Sequence, residues 1–395
     1  MQLTGRRLVA AMCIGQIGNL LPHVAVPAVM PSHLMPLWKL SATEAGMMAS
    51  SFAVGYMLAV PVLTALTDRI DARRILAAGS LLSGMSTLAF GVFAYDLVTA
   101  MVWWTLAGIG FAGAYMPGLK ALTDRLEPGD KSRSVTLYTS SFSFGVGVSF
   151  LVAQLSADLL GWRWAFLLTG FGPALMLLAC AGMRPVAPTP GPGALLDFRP
   201  VFRNRAALGY IFGYGMHCFE LYGMRTWIVA FWSFVVAHNG GAAPLGALAV
   251  SVLVSVMAFP ASIFGNELAL KFGRHRAISL VMLTSCATAL LIGMFAGASP
   301  WLLIGLLAVY SFTVPADSGA LTSGMTASAV PGQVGATMAL HSTVGFGLSA
   351  LGAWGMGVAI DMAGGPQTAS AWMAGFALLA LSIGLGPLIL RWSRA

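Results

Sequence analysis

Charged side chains are scarce in this sequence. Only 9% of its 395 residues are charged, whereas a soluble domain carries roughly 25%. A water-soluble surface of this size needs more charge, so a soluble globular protein is excluded. The hydrophobic fraction is 58% and the mean hydropathy is +0.83, which predicts a surface that faces lipid.

Sequence signatures of cofactor, metal and nucleic-acid sites are also lacking. The four cysteines lie in apolar stretches without CxxC or metal-ligand spacing, so we expect buried free thiols and no disulfide. No P-loop, HExxH or GxSxG motif occurs. The net charge of +8 is spread over short loops and forms no basic stripe. We therefore expect no cofactor, no metal, no catalytic residues, no nucleic-acid partner and no enzymatic activity.

Long apolar stretches fill most of the chain. Arg6 and Arg7 precede the first one, which runs to about Pro31 and is too long for a signal peptide. Because a membrane helix needs ~20 mostly apolar residues, the sequence predicts twelve spans. They cover approximately 8–31, 43–66, 74–95, 97–121, 134–157, 162–182, 206–236, 244–266, 276–297, 300–324, 333–360 and 367–391.

A proline-rich stretch divides these spans into two sets of six. We predict an all-α membrane protein with an N-terminal six-helix bundle (1–183), a cytoplasmic linker (184–204) and a pseudo-symmetric C-terminal six-helix bundle (205–395). The halves match at a constant offset of 203 residues in the pairs Pro128/Pro331, Tyr138/His341 and Asp158/Asp361. Internal repeats of this kind are typical of transporter folds.

Basic residues indicate the orientation. With the N-terminus in the cytoplasm, all of the 21 lysines and arginines except Lys39, Arg163 and Arg225 fall near cytoplasmic loops or termini. The positive-inside rule predicts such a bias. We therefore expect a multi-pass protein of a bacterial cytoplasmic (inner) membrane, with both termini in the cytoplasm.

Two loops and one helix start carry a family resemblance. The stretches 64–74 (TALTDRIDARR) and 265–276 (GNELALKFGRHR), with 161–166 (GWRWAF), resemble the duplicated loop signature and sixth-helix start of the major facilitator superfamily. The resemblance implies twelve helices in two halves that alternate access. It also implies that charged loop residues make breakable gating contacts. These are Asp68, Arg69, Arg73, Arg74, Lys271 and Arg274.

The sequence departs from the family pattern in the fourth and fifth spans. Trp104 precedes Gly108-Ile-Gly110, where many members carry an arginine associated with proton coupling. The fifth span has Gly145-Val-Gly147 in place of the G-P-x-x-G-G pattern of drug/proton antiporters. These departures argue against proton coupling through the fourth span and make drug efflux the alternative rather than the leading hypothesis.

The seventh span has one strongly polar face. An ionisable residue within the bilayer costs about 2.5–3.5 kcal/mol and needs a partner or a function. At ~100° per residue the polar residues of this span fall within an arc of roughly 140°. They are Tyr210, Tyr214, His217, Glu220 and Arg225. His217 and Glu220 can touch, which would make a proton-binding pair. Alternatively Glu220 forms a structural hydrogen bond, and Arg225 extends to the outer interface.

The first span is polar at a related height. Gln16, Asn19 and His23 lie within ~60° of one another on an ideal helix. An offset of 198 residues places Asn19 at the position of His217 in the second half. Repeat-related polar positions predict a shared binding site.

Further candidates lie on the fifth, tenth and eleventh spans. Asp317 follows a proline and precedes a glycine, so local unwinding is expected, and it is either a site residue or a cytoplasmic interface residue. Tyr138 and His341 are repeat-related cavity candidates, although polar contacts between helices explain neighbouring Ser and Thr residues equally well.

The pattern as a whole predicts a secondary active transporter for a small solute. We favour an organic anion with proton-coupled symport or antiport, and we expect a monomer whose partners are the substrate, a proton or other coupling ion and the bilayer. The alternatives are a drug/proton efflux antiporter or a non-enzymatic membrane sensor on the same scaffold. The sequence does not define the solute, the direction of transport or the ion.

Overall fold

The fold is helical throughout the described residues. The computed structural model describes residues 3–127, 131–188, 197–330 and 333–394, and no strand occurs within these ranges. Pro128, Pro331 and residues 189–196 of the predicted linker lie outside them.

Helices of the first half follow the predicted spans closely, with breaks at prolines and glycines. They are α1 Gly5–Leu20, α2 Ala25–Val29, a π-helical turn Met30–Leu34, α3 Met35–Trp38, α4 Ala42–Leu66, α5 Ala72–Phe93, α6 Leu97–Thr123, α7 Lys131–Leu160, α8 Trp162–Gly170 and α9 Ala174–Gly182.

Helices of the second half include the longest one in the described chain. They are α10 Arg199–Phe202, α11 Arg205–His238, α12 Ala247–Phe272, α13 Arg274–Met294, α14 Pro300–Ala316, α15 Ser318–Ser328, α16 Val334–Met362, α17 Ala369–Gly384 and α18 Gly386–Trp392.

The membrane-spanning helices agree with the predicted fold class. Among the described residues, ten helices are long and apolar enough to cross a membrane, or eleven with the bent pair Gly5–Leu20 and Ala25–Trp38. The predicted seventh span is the 34-residue helix α11. It is long enough to cross the bilayer, but it is not among those apolar spans because charged and polar side chains interrupt it.

A bend of 47° divides the first predicted span. α1 ends at Leu20, and α2 begins after Pro22, because proline lacks the N–H that continues a helix. Ser149 of α7 satisfies backbone groups that the bend frees, since its hydroxyl donates to Leu21 O at 2.5 Å and accepts from Val24 N at 3.3 Å. His23 therefore lies in a turn and not, as the ideal-helix prediction assumed, on the same continuous helix as Gln16 and Asn19.

The chain forms two compact units. The first contains Met1–Val29 and Ser51–Asp197, and the second contains Met30–Ser50 and Phe198–Ala395. The predicted first bundle took in all of 1–183, whereas the segment 30–50 packs within the second unit. Asp361 of α16 caps the start of α4 there, because its carboxylate accepts from Ala42 N at 3.0 Å and Thr43 N at 2.6 Å.

Glycines allow the helices of each unit to approach closely. In the first unit a Cβ on Gly79 of α5 would lie 2.6 Å from the Gly110 carbonyl oxygen of α6. In the second unit a Cβ on Gly352 of α16 would lie 2.1 Å from the Phe219 carbonyl oxygen of α11. Small residues at such contacts let membrane helices pack backbone to backbone.

Candidate functional site

The interior of the second unit holds a histidine–aspartate pair. His217 Nδ1 of α11 lies 2.7 Å from Asp317 Oδ1, and each side chain is only 2% exposed. Asp317 stands where the predicted tenth span is divided into α14 and α15. Its φ of −85° and ψ of −18° are helical, so the helix is interrupted there without the unwinding that the sequence predicted. Asp317 is therefore an interior partner of α11.

Tyr214 connects this pair to α16. Its ring stacks on His341 with centroids 3.9 Å apart and lies 5.4 Å from the His217 ring. His341 is buried. Four of the predicted site residues, including Asp317, thus lie in one cluster that joins α11, α16 and the α14–α15 junction.

Glu220 points to a different helix. The Ser285 hydroxyl of α13 donates to Glu220 Oε1 at 2.8 Å, and the carboxyl side chain is fully buried. Sequence spacing allowed Glu220 to pair with His217, but the structure gives each of them a partner on another helix. α11 also continues unbroken through Gly223, so Glu220 and Arg225 stay about 140° apart around the helix.

Arg225 is buried near the middle of α11. Its residue exposure is 5%, and it lies thirteen residues before the helix end at His238, which corresponds to about 20 Å. The guanidinium carbon lies 5.6 Å from the centre of the Tyr222 ring. Within the described parts of the chain, Nη1 has no hydrogen-bond partner and no carboxylate forms an ion pair with Arg225. Extension of this side chain into the outer interface is not observed.

At the equivalent place, the described part of the first unit has a polar interior and no histidine–carboxylate pair. Tyr138 of α7 donates to Gln16 Oε1 at 2.8 Å, and both side chains are buried. Asn19 follows one turn later and is 1% exposed. Neither its Oδ1 nor its Nδ2 finds a hydrogen-bond partner among the described residues.

His23 lies among phenylalanine rings. The centroids of Phe52, Phe111 and Phe142 are 5.3, 5.1 and 5.5 Å from the centre of its imidazole ring. These rings come from α4, α6 and α7, so the turn after α1 faces the interior of the first unit. Sequence patterns did not predict this aromatic surround, because its three phenylalanines come from separate segments of the chain.

The two units repeat one contact between equivalent helices. The predicted offset of 198 residues relates Gln16 to Tyr214, and the offset of 203 relates Tyr138 to His341. Gln16 binds Tyr138 in the first unit, and Tyr214 stacks on His341 in the second. Contact between the repeat-related pairs supports the sequence pairing on which the site prediction depends.

Comparison with known proteins agrees with this repeated helical architecture. Residues 12–353 match the family model of the Major Facilitator Superfamily. The chain belongs to this superfamily. Its members include transporters, and the fold predicted from the sequence is confirmed.

Individual relatives within the superfamily are distant. A probable sphingolipid transporter, spinster homolog 1 of Arabidopsis thaliana, is 22% identical over 142 residues, which cover 36% of this chain and 29% of that protein. The chain spans less than half the length of each of the curated relatives it matches.

Solved structures share the superfamily fold over nearly the whole chain. A bacterial homologue of the human lysosomal transporter Spinster, in an inward-facing and occupied conformation, has a TM-score of 0.72 at 16% identity and covers 98% of this chain and 94% of its own. The human organic anion transporter MFSD10 (TETRAN) has a TM-score of 0.71 at 18% identity, with coverage of 98% and 99%. At these identities the likeness shows the fold alone.

The superfamily loop signature has an unexpected internal role in the first unit. The Asp71 carboxylate accepts from Arg125 Nη2 at 2.7 and 2.9 Å and from Val186 N at 3.0 Å. Arg73 Nη1 and Arg125 Nε donate to the carbonyl groups of Met183 and Arg184. These contacts fix the chain after α9 to the loop between α4 and α5.

Asp71 is electrostatically adapted to this contact. Burial alone would raise the pKa of its carboxyl, but hydrogen bonds from the Arg125 side chain and from the backbone of Val186 and Arg73 outweigh it. The pKa is therefore held below its ordinary value of 3.8. Sequence reasoning assigned no role to Asp71, Arg125 or Ser285.

The other predicted gating residues are more open. Asp68, Arg69, Arg74 and Lys271 are exposed, and Arg274 is half-buried. Lys271 Nζ lies 5.3 Å from the Phe272 ring centre. A gating role for these residues and for Arg73 stays a prediction.

Proposed function

We propose that this chain is a proton-coupled secondary transporter of a small organic anion and not an enzyme. It would work by alternating access in the cytoplasmic membrane, with both termini in the cytoplasm. The anion would be held by Arg225, and the proton would be carried by the buried carboxyl groups of the second unit.

The single observation that carries the anion assignment is the environment of Arg225. An arginine near the centre of a membrane helix costs about 2.5–3.5 kcal/mol even on insertion scales. A cation–π contact with Tyr222 offsets about 0.5–2 kcal/mol of this cost. No described carboxylate offsets the remaining cost. A carboxylate or phosphate group of a solute would form an ion pair with the guanidinium group, because two of its N–H groups can donate to two oxygen atoms at once.

Proton coupling is supported by three buried ionisable residues, two on α11 and one at the α14–α15 junction. Glu220, His217 and Asp317 are all buried and held by neutral or titratable groups of other helices. A buried carboxyl that exchanges a proton changes the charge of the interior and so couples to the bound anion. The fold likeness to a human organic anion transporter is consistent with this assignment, although the likeness itself concerns the fold alone.

The test is uptake by proteoliposomes that contain the purified full chain. A panel of organic anions, lipophilic cations and sugars is offered with and without an imposed pH gradient. We expect one group of anions to accumulate only with the gradient. Arg225→Gln should reduce this uptake by on the order of 100-fold, because a desolvated charge contact is lost, and Arg225→Lys should retain part of it.

Arg163→Gln is the matched control. Arg163 also lies over an aromatic ring, 4.5 Å from the Trp162 centre, but it is exposed, so its replacement should leave uptake within about twofold. Gradient-driven movement of lipophilic cations alone would overturn the anion assignment in favour of the drug/proton antiporter. Absence of flux for every class would overturn the transport proposal in favour of a sensor.

A further inference from the structure

Asn19 is the repeat counterpart of an ionisable residue. The 198-residue offset relates Asn19 of α1 to His217 of α11. His217 has Asp317 as a close partner at 2.7 Å, whereas the Asn19 amide is buried without any hydrogen-bond partner among the described residues. Among the described residues, the same repeat position therefore has a close polar partner within one unit and no hydrogen-bond partner within the other.

An unsatisfied amide in this interior requires an explanation. The Asn side chain has one acceptor oxygen and an NH₂ group with two donor hydrogens. Buried polar groups in native proteins are nearly always hydrogen-bonded, because leaving them unpaired forfeits their hydration. Gln16 shows the same feature in part, since its Oε1 accepts from Tyr138 while its Nε2 has no partner within the described residues.

The surroundings of Asn19 favour a neutral ligand group. One turn before it lies the Gln16–Tyr138 bond, and one turn after it lies His23 among its phenylalanine rings. Phe142 and Tyr115 are only half-buried, and their ring centres are 5.1 Å apart. The described interior at this level thus combines amide donors and acceptors with aromatic faces, and no buried arginine or lysine lies beside it.

We propose that Asn19 is a binding residue for a neutral hydrogen-bonding group, a hydroxyl or an amide, of the transported solute. The apolar carbon next to that group would pack on the aromatic rings of α6 and α7. The inference rests on the proposed function and narrows its substrate class to organic anions that carry a hydroxyl or amide group. Selectivity follows because an analogue without the group leaves the Asn19 amide unpaired.

Two variants separate a binding role from a structural role. Asn19→Leu keeps a similar volume and removes the amide. Gln16→Leu is the matched structural control on the same helix face, because it removes the acceptor of the Tyr138 hydroxyl. We expect Gln16→Leu to lower the midpoint of thermal unfolding in detergent. Asn19→Leu should leave this midpoint unchanged or raise it, since no hydrogen bond within the described protein is lost.

Matched solutes then test the recognition itself. The probes are lactate against propionate, and 4-hydroxybenzoate against benzoate, each pair differing in one hydroxyl group. Competition for gradient-driven anion uptake should show a preference of about tenfold for a hydroxylated member in the wild type. In Asn19→Leu that preference should fall to about one, while uptake of the preferred solute's unhydroxylated partner is retained.

Two results would overturn the proposal. A fall in the unfolding midpoint of Asn19→Leu equal to that of Gln16→Leu would assign Asn19 to the structure, with an ordered water as its only partner. Equal competition by both members of each pair in the wild type, or a preference that survives in Asn19→Leu, would show that the amide does not meet the solute. Failure of the proposed function looks different, because the wild type then accumulates no organic anion at all.

Discussion

The two units solve the same packing problem with different chemistry. In the first, α1 contacts α7 through the Gln16–Tyr138 hydrogen bond. In the second, α11 contacts α16 through the Tyr214–His341 stack. The buried ionisable side chains of α11 and of the elements packed against it lie in the second. In the proposed function, the first unit recognises a neutral group, and the second recognises charge and exchanges protons.

The comparison concerns the interior of the spans, where the buried Glu220, Asp317 and Arg225 all lie in the second unit. Each buried ion needs partners from several helices, and α11 provides a series of positions that α13, α14 and α16 can reach. A second charged set in the first unit would add a further desolvation cost of several kcal/mol per ion. The proposed division of roles between the repeats avoids this cost. Substitutions in each unit test that division, and the largest effect is expected at the repeat position of Asn19 and His217.

The strongest test replaces the same repeat position in both units. His217→Leu leaves Asp317 buried without its partner, and breaking such a pair costs about 3–5 kcal/mol of unfolding free energy. Asn19→Leu should cost less than about 0.5 kcal/mol, because it removes no hydrogen bond among the described residues. Denaturant titration of both variants in detergent measures the difference. Equal losses would contradict the division between the units.

Asp317→Leu serves as its control. Removal of the carboxylate leaves an imidazole rather than a carboxyl group unpaired in the interior, so the loss should be smaller than for His217→Leu. The double variant should lose less than the sum of the two single losses if the 2.7 Å contact is energetically coupled.

The proton-carrying role of the second unit is tested at Glu220. Glu220→Gln keeps the shape and the hydrogen bond with Ser285 but cannot change charge. Gradient-driven uptake should fall at least about tenfold towards the gradient-independent rate, measured in proteoliposomes over a range of pH. Ser285→Ala should retain gradient dependence, because the carboxyl remains. Unchanged pH dependence in Glu220→Gln would exclude Glu220 as the proton carrier.

Sequence reasoning located the elements better than their contacts. The span limits follow from hydropathy and length, because each apolar stretch has to cross the bilayer. The partner of His217 did not follow from spacing. Residues at i and i+3 of a helix can touch, which favoured Glu220 as the partner. Tertiary packing instead brings the Asp317 carboxylate to 2.7 Å from His217.

The bend at Leu20 shows a second limit of pattern reasoning. Pro22 and Pro27 are visible in the sequence, yet many membrane helices tolerate proline with only a kink. Whether a helix kinks or ends depends on distant donors and acceptors, here the Ser149 hydroxyl on α7. The aromatic surround of His23 depends on that bend and could not be derived from a helical wheel.

The first unit has a hydrogen bond whose contribution to stability can be measured. Gln16→Leu leaves the buried Tyr138 hydroxyl without an acceptor and should cost about 1–3 kcal/mol. The double variant Gln16→Leu, Tyr138→Phe should recover part of the loss, because both polar partners are then removed. Thermal and denaturant unfolding of the four proteins measures this coupling. Full additivity would show that the hydrogen bond does not stabilise the unit.

The smallest expected effect concerns the Asp71–Arg125 ion pair of the first unit, in the loop between α4 and α5. Because Asp71 has a pKa below its ordinary value of 3.8, it contributes stability at pH values above 3.8, and this contribution is lost as pH falls through the lower pKa of the folded state. Asp71→Asn should cost about 1 kcal/mol or less at pH 7, since the carboxylate is partly solvated. The difference from wild type should vanish at pH values well below 3.8. Limited proteolysis after α9, followed as a function of pH, measures release of the chain near Val186. A difference in cleavage rate between Asp71→Asn and wild type that persists in acid would mean that Asp71 acts through packing and not through its charge.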